Sequence, residues 1–227
     1  MAFPTGFTSL ANFQLAFARV VRGQNRDYKA FSRHLYESYQ LAGTENLTAL
    51  IEAIKAGTYE PSSATCVFQP KKSGVLRPLR LLTLQDQIVY QAIANVVANA
   101  FRSEQQKTAL TRNFGALVAD KSSDFFYRGW KRSYRAFDAA LASAYKRGND
   151  YVADFDLVSF YELIDHTLLR TVLSKKVRNT ELRATKKQRM SCSGCCGVIR
   201  PTILAQLTIL TRWTSANQTQ IHCHTGE

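Results

Sequence analysis

The sequence predicts an α+β chain, largely helical, with one β-hairpin and one further strand. Three observations carry that expectation. Apolar residues recur at three- and four-residue steps through most of the first hundred positions. A Pro- and Gly-punctuated stretch of short apolar runs interrupts them at "YEPSSATCVFQPKKSGVLRPLRLLTL", residues 59–84. Strict alternation then returns in "YVADFDL", residues 151–157.

In "NRDYKAFSRHLYESYQ", Asp27 is placed to cap a helix with Tyr28, Phe31, Leu35 and Tyr39 on one stripe. "GTENLTALIEAIKAG" repeats the pattern with Thr44 as cap, Leu47, Leu50, Ile51 and Ile54 as the buried face, and Gly57 past the end. These stripes read as core. Two extended segments around a turn at "KKSG" follow, and Asp86 is positioned to cap the next helix, whose Ile88, Val89, Ala92, Ile93, Val96 and Val97 share a face. A further helix is expected from about Ser123, because Phe126, Trp130, Tyr134, Phe137 and Leu141 keep helical steps. The strand from Tyr151 to Leu157 would put Val152, Asp154 and Asp156 on one face. "IDHTLLRTVLSKKV" resumes helical spacing, with Asp165 able to cap free amides.

With 227 residues and 45% hydrophobic content the chain can fill a core, and a disordered chain is excluded. Thirty Lys and Arg against 17 Asp and Glu leave a net charge of +13, a surface that favours a polyanion such as nucleic acid or an anionic membrane face. A membrane span is not expected: the best apolar run, "AIANVVANAF" (92–101), is broken by Asn95 and Asn99. The start "MAFPTGFTSLANFQ" lacks the basic-then-apolar order of a secretory signal, which points to the cytoplasm and to reduced thiols for the five cysteines.

Two segments invite chemistry. Neighbouring acids at a strand end, Asp154 and Asp156, suit a hard divalent cation such as Mg²⁺, or else simply face solvent from an edge strand. Lys71, Lys72, Arg77 and Arg80 surround a tight turn with no acid nearby, a field for a triphosphate or a nucleic-acid backbone, or a solvated basic loop.

Taken in order, Gly57-x-Tyr59-x-Pro61, Pro70-Lys71, Gly74, Arg77-Pro78-Leu79, Asp86 with the helix through Ala92, and "DLVSFYELIDH" resemble the prokaryotic reverse transcriptases of group II introns, retrons and defence systems, across about residues 57 to 169. The resemblance implies a right-hand polymerase: an N-terminal helical region (1–62), fingers (63–150) and the start of a palm (151–227). It implies an RNA-directed DNA polymerase using two Mg²⁺ ions, dNTPs, an RNA template and a DNA primer. Asp156 would be the catalytic, metal-binding acid. Leu157 would offer a carbonyl near the metal, and Tyr161 would screen the incoming sugar. The hairpin role of clamping the triphosphate points to Lys71 and Arg77, with Lys72 a weaker claimant. Asp154 matches no fixed ligand, and Asp165-His166 belong to the pattern as a turn and helix start.

The pattern also departs from the family. There is no Asp-Asp dipeptide, hence no Tyr-x-Asp-Asp motif, and no Gly-x-Pro-Gln-Gly type segment before it. The expectation is a truncated palm, inactive and aggregation-prone by itself, with an unpaired Tyr151–Leu157 strand; the alternative is a remnant that retains only nucleic-acid binding. "RATKKQRMSCSGCCGVIRP" (183–201) fits no family pattern and reads as a surface insertion or a shifted frame. The Cys192/Cys195 spacing, with His222, Cys223 and His224 downstream, makes a weak zinc candidate.

Overall fold

In the computed structural model the structure describes residues 6–23, 26–70, 72–156, 164–165, 167–169 and 171–176, with the backbone alone at 26–33, 77 and 78. The class is α+β: helices α1 (Leu10–Arg22), α2 (Arg26–Leu41) and α3 (Gly43–Ala56), strands β1 (Thr65–Pro70) and β2 (Leu76–Leu81), then α4 (Leu84–Thr108) and α5 (Trp130–Lys146). The two strands form an antiparallel sheet. No helix among the described residues is long and apolar enough to cross a membrane.

The core lies where α1, α3 and α4 meet. Phe7, Phe13 and Ile88 are fully buried, joined by Ala16, the Leu47, Leu50, Ile51 and Ile54 stripe of α3, and Val89, Ala92 and Ile93 of α4. The expected stripes of these two helices are thus the buried ones. Val96 and Val97 pack at the edge of this cluster. Asn95, which breaks the apolar run of α4, is buried at a polar junction. Its Nδ2 donates to Asn12 Oδ1 (3.0 Å), and its Oδ1 accepts from Gln91 Nε2 (2.9 Å) and Arg19 Nη1 (2.6 Å). A buried amide must be paired in this way to be tolerated.

Helix ends follow the expected rules with shifts of position. Gly57 closes α3 in the left-handed region at φ 74°, a conformation glycine adopts without a Cβ penalty. Three expected caps lie inside their helices instead. Asp27 is the second residue of α2, and Thr44 is the second residue of α3, whose N-cap Ala42 makes no side-chain cap bond. Asp86 is third in α4, and the cap is Thr83, whose hydroxyl accepts from the Asp86 amide at 3.2 Å. The Thr-x-x-Asp spacing is that of a capping box, and here the acid accepts from the Thr83 hydroxyl.

The helix expected from Ser123 begins at Trp130. Residues 117–129 form a loop instead, because their carbonyls are taken by side chains from α1 and α4 and by a short pairing of Val118 with Tyr127. The expected Tyr151–Leu157 strand is also absent over 151–156, which are irregular and exposed; Leu157 lies outside the described residues. A strand requires a neighbour to complete its backbone hydrogen bonds, and the sheet among the described residues contains only β1 and β2.

Candidate functional site

The β1–β2 hairpin is a self-consistent unit. Thr65 pairs with Leu81, Gln69 with Arg77 and Pro70 with Leu76, which puts the turn between Pro70 and Leu76. Gly74 takes φ 81°, so the turn is built on a residue that adopts it freely. Lys72 is exposed on this turn. Arg77 belongs to β2 by its backbone, its side chain lies outside the described residues, and Lys71 lies outside them altogether.

One carboxylate holds both feet of the hairpin. Asp86 is buried at the start of α4; its Oδ2 accepts from the Ser62 amide (3.2 Å), before β1, and from the Thr83 hydroxyl (2.5 Å), after β2. Its Oδ1 accepts from the Tyr59 hydroxyl. Burial, then the hydrogen bond to Asp86 and its negative charge, push the Tyr59 phenol far above the ordinary tyrosine value. Tyr59 therefore remains a donor, and Asp86 is satisfied by three donors from the two segments that flank the hairpin. The arrangement is an anchor, since every group in it is engaged.

A second polar assembly fixes the loop before α5. Arg19 of α1 is only 5% exposed, and its guanidinium donates to the carbonyls of Ser123 (2.9 Å), Asp120 (3.2 Å) and Lys121 (3.3 Å) besides Asn95. It lies 5.5 Å from the centre of the Phe126 ring. Burial, and after it the neighbouring Arg102, lower its pKa from the usual arginine value. Arg102 donates to Ala119 O (2.9 Å), and Gln105 Oε1 accepts from the Val118 amide (3.0 Å). The loop thus carries Phe125, Phe126 and Tyr127 on a fixed backbone. These three line a cavity of about 450 Å³ together with Tyr36, Gln87 and Tyr90.

Asp154 and Asp156 are exposed on the irregular segment 151–156, beside Tyr151 and Phe155, which are 96% and 90% exposed. Among the described residues no group of three His, Cys, Asp or Glu side chains is positioned to hold a metal ion. A two-metal centre needs several converging carboxylates, and the described residues supply no such group around Asp156. Tyr161, His166, Cys192, Cys195 and the downstream His222, Cys223 and His224 lie outside the described residues. Asp165 does cap: its Oδ1 accepts from the amides of Thr167 (2.7 Å) and Leu168 (3.1 Å).

Sequence reasoning missed two groups. Arg19 shows no signal in sequence, since a single Arg on an amphipathic helix is indistinguishable from a solvated one. The run "FFYRGWKRSYR" (125–135) does show one: five aromatics and four cations in eleven residues, with no acid.

No protein-family model matches the chain, and no solved structure matches it significantly. The chain is 24% identical over 131 residues to Protein YkfC of Escherichia coli (strain K12), a match covering 58% of this chain and 31% of that protein. The matched part thus spans less than a third of the relative's length. At that level the likeness carries no activity across.

Proposed function

We propose that the chain is the fingers and palm entry of an RNA-directed DNA polymerase of the prokaryotic reverse transcriptase type. The observation that supports this reading best is the hairpin with its anchor. Tyr59, Gly74, the β2 residues Arg77-Pro78-Leu79 and Asp86, all quoted for the resemblance, belong to one unit whose two feet are tied to one carboxylate. A basic turn on a fixed hairpin is suited to holding a triphosphate, the role proposed for Lys71 and Arg77. The net charge of +13 agrees with a template and primer as partners. Asp156 is proposed as one ligand of Mg²⁺, Leu157 as a neighbouring carbonyl, and Tyr161 as the screen against a 2′-hydroxyl. No catalytic step is assigned to the described residues, because the carboxylates that would complete a metal pair are not among them.

The exposure of Asp156 favours a second reading, a chain that binds nucleic acid without polymerising. The two separate in one experiment. The product expressed from its own locus is purified, its intact mass is determined, and it is assayed for Mg²⁺-dependent extension of a DNA primer on an RNA template. Extension abolished by Asp156→Asn supports the polymerase reading. Retained RNA binding with no extension supports the second, and neither binding nor extension overturns both.

A further inference from the structure

We infer that residues 125–135, at the junction of the Arg19-clamped loop and α5, form a platform for single-stranded nucleic acid, with bases stacked on Trp130 and Tyr134 and phosphates met by Arg128, Lys131 and Arg135. The inference deepens the nucleic-acid part of the proposed function and rests on that part alone, not on polymerisation.

The first observation is exposure. Trp130 is 62% and Tyr134 57% exposed, and Phe125 and Tyr127 on the preceding loop are about half exposed. Ser133 is the single buried residue of the 17-residue helix α5. Large rings left in water at this density are uncommon on a soluble surface and mark a binding face.

The second is arrangement. At about 100° per residue, Trp130, Tyr134, Phe137 and Leu141 fall within about 60° of one another, with Lys131 and Arg135 on the flank of that stripe away from Ser133. Trp130 and Tyr134 have ring centres 6.2 Å apart at 77°, so their faces are not stacked on each other. Arg128, Lys131, Arg132 and Arg135 are all exposed. Asp138 is the one acid of α5, against Lys131, Arg132, Arg135 and Lys146. A row of cations beside a row of rings is the arrangement that tracks a backbone while stacking its bases.

The third is preorganisation and room. The loop is held by the buried Arg19, so its rings are presented on a set backbone. Arg128, Trp130, Lys131 and Arg132 border a cleft of about 740 Å³, and the first turn of α5 has no side-chain cap, which leaves its amides available to a phosphate. The charge also selects the occupant. A second copy would bring an equally basic face against this one, whereas a polyanion neutralises it. Duplex nucleic acid covers its base faces and offers nothing to Trp130, so a single strand is the ligand.

The test is a titration of the full chain in EDTA, without dNTPs, so that polymerase failure cannot affect it. The probes are oligo-thymidylate and oligo-uridylate of about 12 nucleotides, and a duplex of equal length. Trp213 is replaced by Phe so that fluorescence reports Trp130 alone. Single strands are expected to quench Trp130, and Trp130→Ala, followed by anisotropy of a labelled strand, is expected to weaken binding by roughly 5- to 100-fold, with Trp130→Phe largely retaining it. Lys131→Ala and Arg135→Ala should each reduce the salt slope by about one while leaving the stacking quench in place. Oligo-thymidylate bound as tightly as oligo-uridylate assigns the site to bases and phosphates of either strand type; a preference for one assigns it to that strand, and both support the platform. It is overturned if Trp130→Ala, with unchanged circular dichroism, binds single strands like the parent chain. It is also overturned if duplex quenches Trp130 equally, or if the exposed rings instead drive a concentration-dependent dimer that Trp130→Ala abolishes.

Discussion

Helices α3 and α5 carry apolar stripes of the same helical spacing and end in opposite environments. Leu47, Leu50, Ile51 and Ile54 of α3 are 2–4% exposed, whereas Trp130, Tyr134, Phe137 and Leu141 of α5 are 43–62% exposed. Phe137 does meet Phe114 edge-on at 5.7 Å, but the rest of the α5 stripe faces outward. The periodicity determines that each forms a helix with one apolar face. It does not determine what covers that face, which depends on residues far away in the chain. The composition of the stripes differs as well: α3 is aliphatic, while the first half of the α5 stripe is aromatic and bordered by cations. Aliphatic side chains gain from burial alone, and aromatic ones retain a stacking face when exposed.

The largest effect that tests this contrast comes from paired truncations. Ile88→Ala, at a fully buried site, should cost about 3–4 kcal/mol by lost transfer energy and a cavity. Leu141→Ala should cost about 0.5 kcal/mol or less, since its side chain is already hydrated and Ala is the better helix former. Urea denaturation midpoints read both. Equal losses would mean that α5 is covered in solution as thoroughly as α3.

The contrast also accounts for what could be read in advance. Gly57, the α3 and α4 stripes and a turn between Pro70 and Leu76 were legible because each rests on contacts within a few residues: a left-handed end, a one-sided helix, a two-stranded reversal. The Tyr151–Leu157 strand was written in period-two alternation, yet 151–156 are irregular, because alternation supplies the side chains of a strand without the neighbour that completes its hydrogen bonds. The caps of α3 and α4 were misassigned by two and three positions, where a bare backbone at Ala42 and the Thr83 hydroxyl served instead. Asp86 was recognised at a helix start, but its grip on both feet of the hairpin depends on Tyr59 and Ser62, 27 and 24 residues away. The start of α5 was displaced by Arg19, more than a hundred residues upstream of the carbonyls it binds. The aromatic and basic interleaving of 125–135 was in plain view; only the exposure of its rings separates a surface from a core stripe.

Arg19 of α1, a helix in the same core as α3, holds the loop that leads into α5, so its removal sharpens the comparison. Arg19→Met retains much of the packing stem and loses the donors to Ser123, Asp120, Lys121 and Asn95. A loss of about 2–3 kcal/mol is expected, because a buried amide and several carbonyls lose a charged partner. Hydrogen exchange should rise at the Ala119 and Arg128 amides, which bond across the loop to Phe126 and Leu117, while α3 amides remain protected. Uniform loss of protection through α3 and the loop would mean that the two regions unfold as one unit and that the clamp is not local.

The smallest expected effect is a pH dependence confined to the core side. Tyr59 holds its proton in the folded chain well above pH 10, through burial first and Asp86 second, and burial also raises Tyr36 and Tyr39. Above pH 10, the ordinary tyrosine value, the unfolded chain releases these protons while the folded chain keeps them. The folded state then binds more protons, so its stability must fall as pH rises from 10 toward the folded pKa, and below 10 the contribution is fully present. Tyr59→Phe removes one hydrogen bond to Asp86, a loss of about 1–2 kcal/mol at neutral pH, but it also removes this titration. Its stability should therefore decline less steeply above pH 10 than that of the parent chain, the two curves converging as pH rises. Parallel curves in urea unfolding from pH 8 to 11 would show that Tyr59 ionises as freely folded as unfolded. In that case the hairpin would be held by Ser62, Thr83 and Asp86 alone.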